Sequence, residues 1–223
     1  MAAIIVAGLL IAVLPNGEEE PGTSAPPAGP TRAGGDPSQA LPTEESPAEV
    51  PTTAPNGVTW ELVGPLAAPV STSAGPKQVT ETSAAGFAHT PEGALIAATQ
   101  ILVRSTFTLG RKHWEPTIER QFVPSDDRDR LLAELRALDS SQVDPGAFSQ
   151  IAGFSYQSYT PDTAVIGLVL RAPSTGAPQY HVLSLTLLWR DGDWRMQAPP
   201  GGSWGSVNRR TDDLTGVVAW GPR

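Results

Sequence analysis

The stretch Tyr180–Gln197, YHVLSLTLLWRDGDWRMQ, constrains this chain more than any other. Leu183, Leu185, Leu187 and Trp189 fall on one side of an extended backbone, and Val182, Ser184, Thr186 and Leu188 fall on the other. Period-two alternation with one wholly apolar side is the pattern of a strand lying on a core. Asp191-Gly192 follows, a strong two-residue turn signal, because a type I′ turn needs positive φ at both central positions. Trp194–Gln197 then starts a return strand. An antiparallel hairpin is expected, with Trp189 and Trp194 beside its turn. Leu183, Leu185, Leu187 and Trp189 are its expected core side, and the side bearing Ser184 and Thr186 is the surface on which a partner is expected.

The rest of the domain is read around that hairpin. Gly57–Val63 is a short strand-like run. The segment 64–76 is broken by Pro65, Pro69, Gly75 and Pro76 and reads as an ordered loop. Thr90 is a good N-cap with Pro91 at the first helical position and Glu92 at the positive end of the dipole. That helix runs to about Arg104 and is apolar nearly all round, as a buried helix is. A short helix is expected over Trp114–Phe122, with Pro116 in its first turn. Ser125 caps a third helix to about Leu138, with Asp126, Asp127 and Asp129 in its first turn and a Leu131, Leu132, Leu135, Leu138 stripe. Pro145-Gly146 ends the helical half. Strands follow over Ile151–Tyr159 and Thr163–Ala172, with a turn at Thr160-Pro161-Asp162. Pro173–Pro178 is a turn before the hairpin, and Gly216–Trp220 is a closing strand or docked tail. Helices first, then sequential antiparallel strands, argue for an α+β domain in which a curved antiparallel sheet forms a cone around helices.

Residues 58–223 are enough for one well-buried domain of this kind. What precedes them is different. Residues 15–57 hold ten prolines and no aromatic residue. Such a segment cannot bury enough apolar surface to offset its ordering entropy, so it reads as a disordered linker, a spacer or a plain tail. Ala2–Leu14 is apolar and uncharged up to Pro15. As a helix it spans roughly 20 Å, against about 30 Å for a hydrocarbon core. Three readings stand: a signal segment without its basic flank, a core helix, or part of a membrane anchor whose start lies upstream. The anchor reading is favoured, which puts the domain on the extracytoplasmic side of the cell membrane, single-pass.

Charge and side-chain chemistry exclude several classes. The net charge is −8, and seven acidic residues against Arg32 alone lie in 1–57, so the domain itself is close to neutral. That gives no electrostatic footprint for nucleic acid. With no cysteine in the chain, disulfides and thiolate chemistry are out. His89, His113 and His181 lack ligand-like spacing, so no metal or cofactor is expected. Gly201-Gly202-Ser203-Trp204-Gly205 matches G-x-S-x-G, but Pro199-Pro200 and Ser206-Val207-Asn208 are not the strand and helix a nucleophile elbow needs. Acid–base work in such a cone takes a carboxylate with a His or Tyr. Asp162, Tyr156 and Tyr159 are of the right types, although Asp162 reads first as a turn residue and His89 as a packing or hydrogen-bonding residue. No catalytic residue is assigned.

The segments GVTWELVGPLAAPVSTSAGP (57–76), GFAHTPEGALIAATQILVR (86–104) and QIAGFSYQSYTPDTAVIGLVLRAP (150–173), with the WRDGDWR turn, resemble an uncharacterised family of actinobacterial integrative and conjugative elements. The resemblance implies an anchored protein encoded with conjugative-transfer genes. The helix-then-meander order is also similar to the nuclear transport factor 2-like fold of type IV secretion assembly factors, a likeness of architecture that does not establish function. Together they imply a non-enzymatic, membrane-tethered scaffold subunit of a conjugative DNA-transfer apparatus, with other transfer proteins or its own copies as partners. The alternative is a small-molecule-binding protein or enzyme with a pocket inside the cone.

Overall fold

The computed structural model describes residues 49–138 and 148–222. The apolar segment 1–14, most of the expected linker and the Pro145-Gly146 stop lie outside the described residues. The segment 49–57, expected as linker, is described, and Pro51 lies beside Ser73 and Pro91 of the domain. Among the described residues no helix is long and apolar enough to cross a membrane.

The chain forms β1 (Val58–Val63), β2 (Leu66–Ser71), β3 (Gln78–Val79), β4 (Ala84–Ala85), α1 (Pro91–Arg104), α2 (Arg111–Gln121), α3 (Asp126–Ala137), β5 (Gln150–Thr160), β6 (Thr163–Ala172), β7 (Gln179–Arg190), β8 (Asp193–Met196), β9 (Asn208–Thr211) and β10 (Val218–Ala219). The order is α+β as expected: three helices, then an antiparallel sheet β10-β5-β6-β7, with β8 and β9 sharing the far edge of β7. Two register shifts in β5, at Ile151/Gly153 and Tyr156/Ser158, mark bulges that bend a sheet. Asp191 (φ 53) and Gly192 (φ 78) make the turn of the β7–β8 hairpin.

Helix α1 forms where the cap signals put it. Thr90 is extended, and its hydroxyl accepts from the Gly93 N–H at 3.1 Å. A Cβ on Gly93 would sit 2.0 Å from the Ala88 carbonyl oxygen, so the chain enters this helix against a position only glycine fills. Every α1 residue except Glu92 is buried, because β2, β4, α2 and the strands β6, β7 and β8 all pack against the helix. Leu95, Ile96 and Ile101 share one core with Phe154, Ile166, Leu168, Leu183, Leu185 and Leu187. The core side of the hairpin is therefore as expected at its three leucines, while Trp189 is only half-buried.

Three expectations are corrected. The segment 64–76 is not all loop: β2 pairs antiparallel with β1, Pro69 opposite Trp60. The Pro69 carbonyl accepts from Gln100 Nε2 at 2.7 Å, so it points away from β1. A residue's N and C=O point to the same side of a strand, so the missing N–H costs no ladder bond. Helix α2 starts at Arg111, a turn earlier than expected, and carries Pro116 inside it, where the preceding turn is exposed at Arg111 and Lys112. Leu138, the last member of the α3 stripe, is 40% exposed, because the helix ends at Ala137.

Candidate functional site

The residue types singled out for acid–base chemistry do come together. The N-terminus of α1 meets the β5–β6 turn and the β7–β8 hairpin at one end of the sheet. There the His89 ring stacks on Trp189, centroids 4.0 Å apart and 10° from parallel, with Trp194 edge-on at 5.9 Å. Tyr159 lies 6.3 Å from Trp194 and 6.4 Å from Tyr156. Asp162 Oδ1 is 4.0 Å from His89 Nε2, with the carboxylate 75% exposed.

Three polar side chains of this cluster are committed to backbone. His89 Nε2 is 2.6 Å from the Pro161 carbonyl oxygen. A carbonyl only accepts, so Nε2 carries the proton and donates. The Tyr156 hydroxyl donates to the Pro91 carbonyl at 2.5 Å, and the Trp194 indole N–H donates to the Ala88 carbonyl at 2.9 Å. Burial, with the charges of Tyr159 and Glu92 beside it, pushes the Tyr156 pKa well above that of an ordinary phenol. Burial first and Asp162 second raise Tyr159 as well. These shifts hold both hydroxyls protonated, as donors and not as bases. The arrangement ties three chain segments to the start of α1. The Asp162 carboxylate, 75% exposed, still faces solvent.

The other candidates are apart from this cluster and from one another. His113 Nε2 lies 3.5 Å from Glu81, and His181 Nδ1 lies 3.3 Å from the Asn208 amide. No group of three metal-ligating side chains occurs among the described residues. Ser203 sits between two short 3-10 turns, Pro200–Gly202 and Trp204–Val207. Gly202, at the variable position before the serine, has a steric reason: a Cβ there would lie 2.6 Å from the Leu131 backbone nitrogen, so this glycine lets the loop approach α3. Ser184 and Thr186, expected on an open face, are half-buried and line a cavity of about 190 Å³ with Pro199, Trp204 and Val207. The loop 197–207 therefore covers part of that face. The same face carries Arg195 opposite Leu188, Arg209 opposite Val182 and Arg171 opposite Tyr180, and Gln157 Nε2 donates to Ser184 Oγ at 2.8 Å.

One polar cluster has no counterpart among the sequence candidates. At the C-terminal end of α1, Gln100 and Arg104 are 1% and 4% exposed. Arg104 Nε donates to Gln100 Oε1 at 3.2 Å, and Nη1 donates to the Thr80 and Glu81 carbonyls at 3.1 and 3.2 Å. Arg104 makes no ion pair among the described residues. Both residues line a cavity of about 200 Å³ under the β1–β2 ribbon. The available signal was the i, i+4 spacing of two long polar side chains in an otherwise apolar helix. A larger cavity of about 360 Å³, mostly apolar, lies between Leu62, Leu66, Leu102, Phe148 and Leu170.

No curated protein and no solved structure matches the chain. A family model does match, over residues 19–219, spanning the helical half, the sheet and the closing strand alike. The chain belongs to the family described as Domain of unknown function (DUF8175).

Proposed function

We propose that this domain is a non-enzymatic scaffold subunit of a conjugative DNA-transfer apparatus, held at the membrane by the N-terminal apolar segment. The observation that carries the reading is the filled interior under the sheet. Where a ligand-binding cone would open, Leu95, Ile96 and Ile101 of α1 meet Ile166, Leu168, Leu183 and Leu185, all buried. The alternative, a binder or enzyme with its pocket in the cone, needs convergent polar groups there, and the candidates His89 and Tyr156 are spent on backbone carbonyls. The helix-then-meander order is similar to that of nuclear transport factor 2-like assembly factors, and the sequence resemblance to conjugative-element proteins supports the same context. The domain offers partners the outer edge of β1, which pairs only with β2 among the described residues and carries Leu62 at 76% exposure. Such an edge without lysine, proline or bulge is a template for strand addition.

The test is genetic. Deleting the gene from a donor strain should abolish transfer of its element. Wild-type chain, His89→Gln and Tyr156→Phe should each restore it, because neither side chain is asked to do chemistry. Normal transfer from the deletion strain would overturn the scaffold reading. Failure of a folded, membrane-recovered Tyr156→Phe chain to restore transfer would favour a catalytic role instead.

A further inference from the structure

We propose that Arg104 is the anion-binding residue of a small-molecule site that takes the α-carboxylate of a short aliphatic amino acid, free or at the end of a peptide. The inference does not depend on the scaffold reading.

It starts from the state of the guanidinium. Arginine stays charged under all ordinary conditions, and a buried cation is retained at a cost unless an anion or a full set of acceptors faces it. Arg104 is 4% exposed, yet its acceptors are one amide oxygen and two carbonyls, all neutral. Its second terminal nitrogen, Nη2, makes no hydrogen bond among the described residues. Burial lowers the Arg104 pKa, and Glu61, the opposing influence, offsets it only in part. Glu61 is exposed on β1, beyond ion-pair distance. The positive charge is thus held in place by Gln100, which is itself fixed by the Pro69 carbonyl at 2.7 Å, and it lacks a carboxylate partner among the described residues.

The surroundings select the ligand. The cavity that Arg104 lines is about 200 Å³, room for one amino-acid residue. Val63, Ala68 and Val79 supply an apolar wall, which suits an aliphatic side chain. Two carboxylates, Glu61 and Glu81, stand in the same lining. Glu81 is shared with Lys112 at 3.2 Å and His113 at 3.5 Å. Glu61 has no such partner among the described residues and can take an ammonium group. A phosphate, with two negative charges, would meet repulsion from both glutamates, whereas a zwitterion brings one carboxylate to Arg104 and one cation to Glu61.

The full-length chain, purified in mild detergent, is titrated with L-leucine, with 4-methylpentanoate (the same skeleton without the amino group), with a short peptide ending in leucine, and with inorganic phosphate. Saturable binding of leucine or of the leucine-ended peptide is expected, and whichever of the two binds identifies the source of the carboxylate. Arg104→Met should weaken that binding by about tenfold or more. Val79→Trp, at an exposed rim position, should do the same without touching the buried network. 4-Methylpentanoate should bind more weakly than leucine, and Glu61→Gln should close that gap. The proposal is overturned if neither leucine nor the peptide binds below about 10 mM, a range that would still register a weak site. It is equally overturned if Val79→Trp binds as wild type does, or if phosphate binds in preference.

Discussion

At the N-terminal end of α1, Thr90, Tyr156, Trp194 and His89 each direct a polar atom at a backbone group, and each finds its partner. At the C-terminal end, Gln100 and Arg104 are both buried, yet the guanidinium there faces only neutral acceptors. The first end holds the residue types of a catalytic site, and the second holds the unspent charge. A side chain whose hydrogen bonds are already made to backbone has little left to offer a substrate. A buried cation without an anion does. Residue type alone therefore does not say which end of this helix holds polar groups still open to a ligand.

The largest effect should come from the floor beneath both ends. Leu183→Ala, at a fully buried position, should cost about 2–5 kcal/mol in urea unfolding. A loss under about 1 kcal/mol would mean that the interior is loosely filled, and would reopen the cone as a pocket. Next comes the C-terminal end. Gln100→Ala leaves Arg104 Nε and the Pro69 carbonyl without their partner, and should cost about 1–3 kcal/mol. If saturating leucine recovers part of that loss, the link between the cation and a ligand is sharpened.

The N-terminal end should respond less. Tyr156→Phe removes one hydroxyl and leaves the Pro91 carbonyl unpaired, at about 1 kcal/mol by denaturant titration. A much larger loss would show that the two ends are not as different as their hydrogen bonding makes them. The smallest effect is a surface yardstick. Glu115 on α2 is tied to Arg111 at 2.6 Å and to Arg136 of α3, and hydrogen bonds from those two arginines hold its pKa at about 2 instead of 4.5. A depressed carboxylate pKa stabilises the fold above the unfolded value and loses that contribution as pH falls toward the folded one. Glu115→Gln should therefore be less stable than wild type at pH 7 by under about 1 kcal/mol. The gap should shrink between pH 4.5 and about 2, as followed by thermal melts across that range.

Where sequence signals were local, they were sufficient. The Thr90-Pro91 cap, the Ser125 cap and the Asp191-Gly192 turn each act within a few residues, and α1, α3 and the β7–β8 hairpin stand where those signals fall. β2 is hidden in the sequence because its proline reads as a breaker, and only its neighbours reveal that the Pro69 carbonyl points away from β1. The start of α2 is hidden for the same reason, since Pro116 signals a first turn and stands inside the helix instead. Half-burial of Ser184 and Thr186 depends on a loop that starts at Gln197, and no alternation pattern within β7 carries that information. Nor does sequence say which polar atoms are already spent. His89 lies far along the chain from Tyr156 and Asp162, and their commitment to Pro161, Pro91 and solvent appears only when the sheet is closed.

The Asp193 carboxylate, at the first position of β8, accepts the backbone N–H groups of Gly86 and Phe87 at 2.8 and 3.1 Å. It also accepts from Trp194 next to it at 2.9 Å. These contacts join residues more than a hundred positions apart, at the very place where the chain turns into its central helix. Loop closure over that distance must precede any stabilisation it brings, and folds dominated by such contacts form slowly. During synthesis, the approach to α1 therefore lacks its clamp until the last hairpin has left the ribosome. A chain moved across a membrane as it is made would cross before that clamp can close.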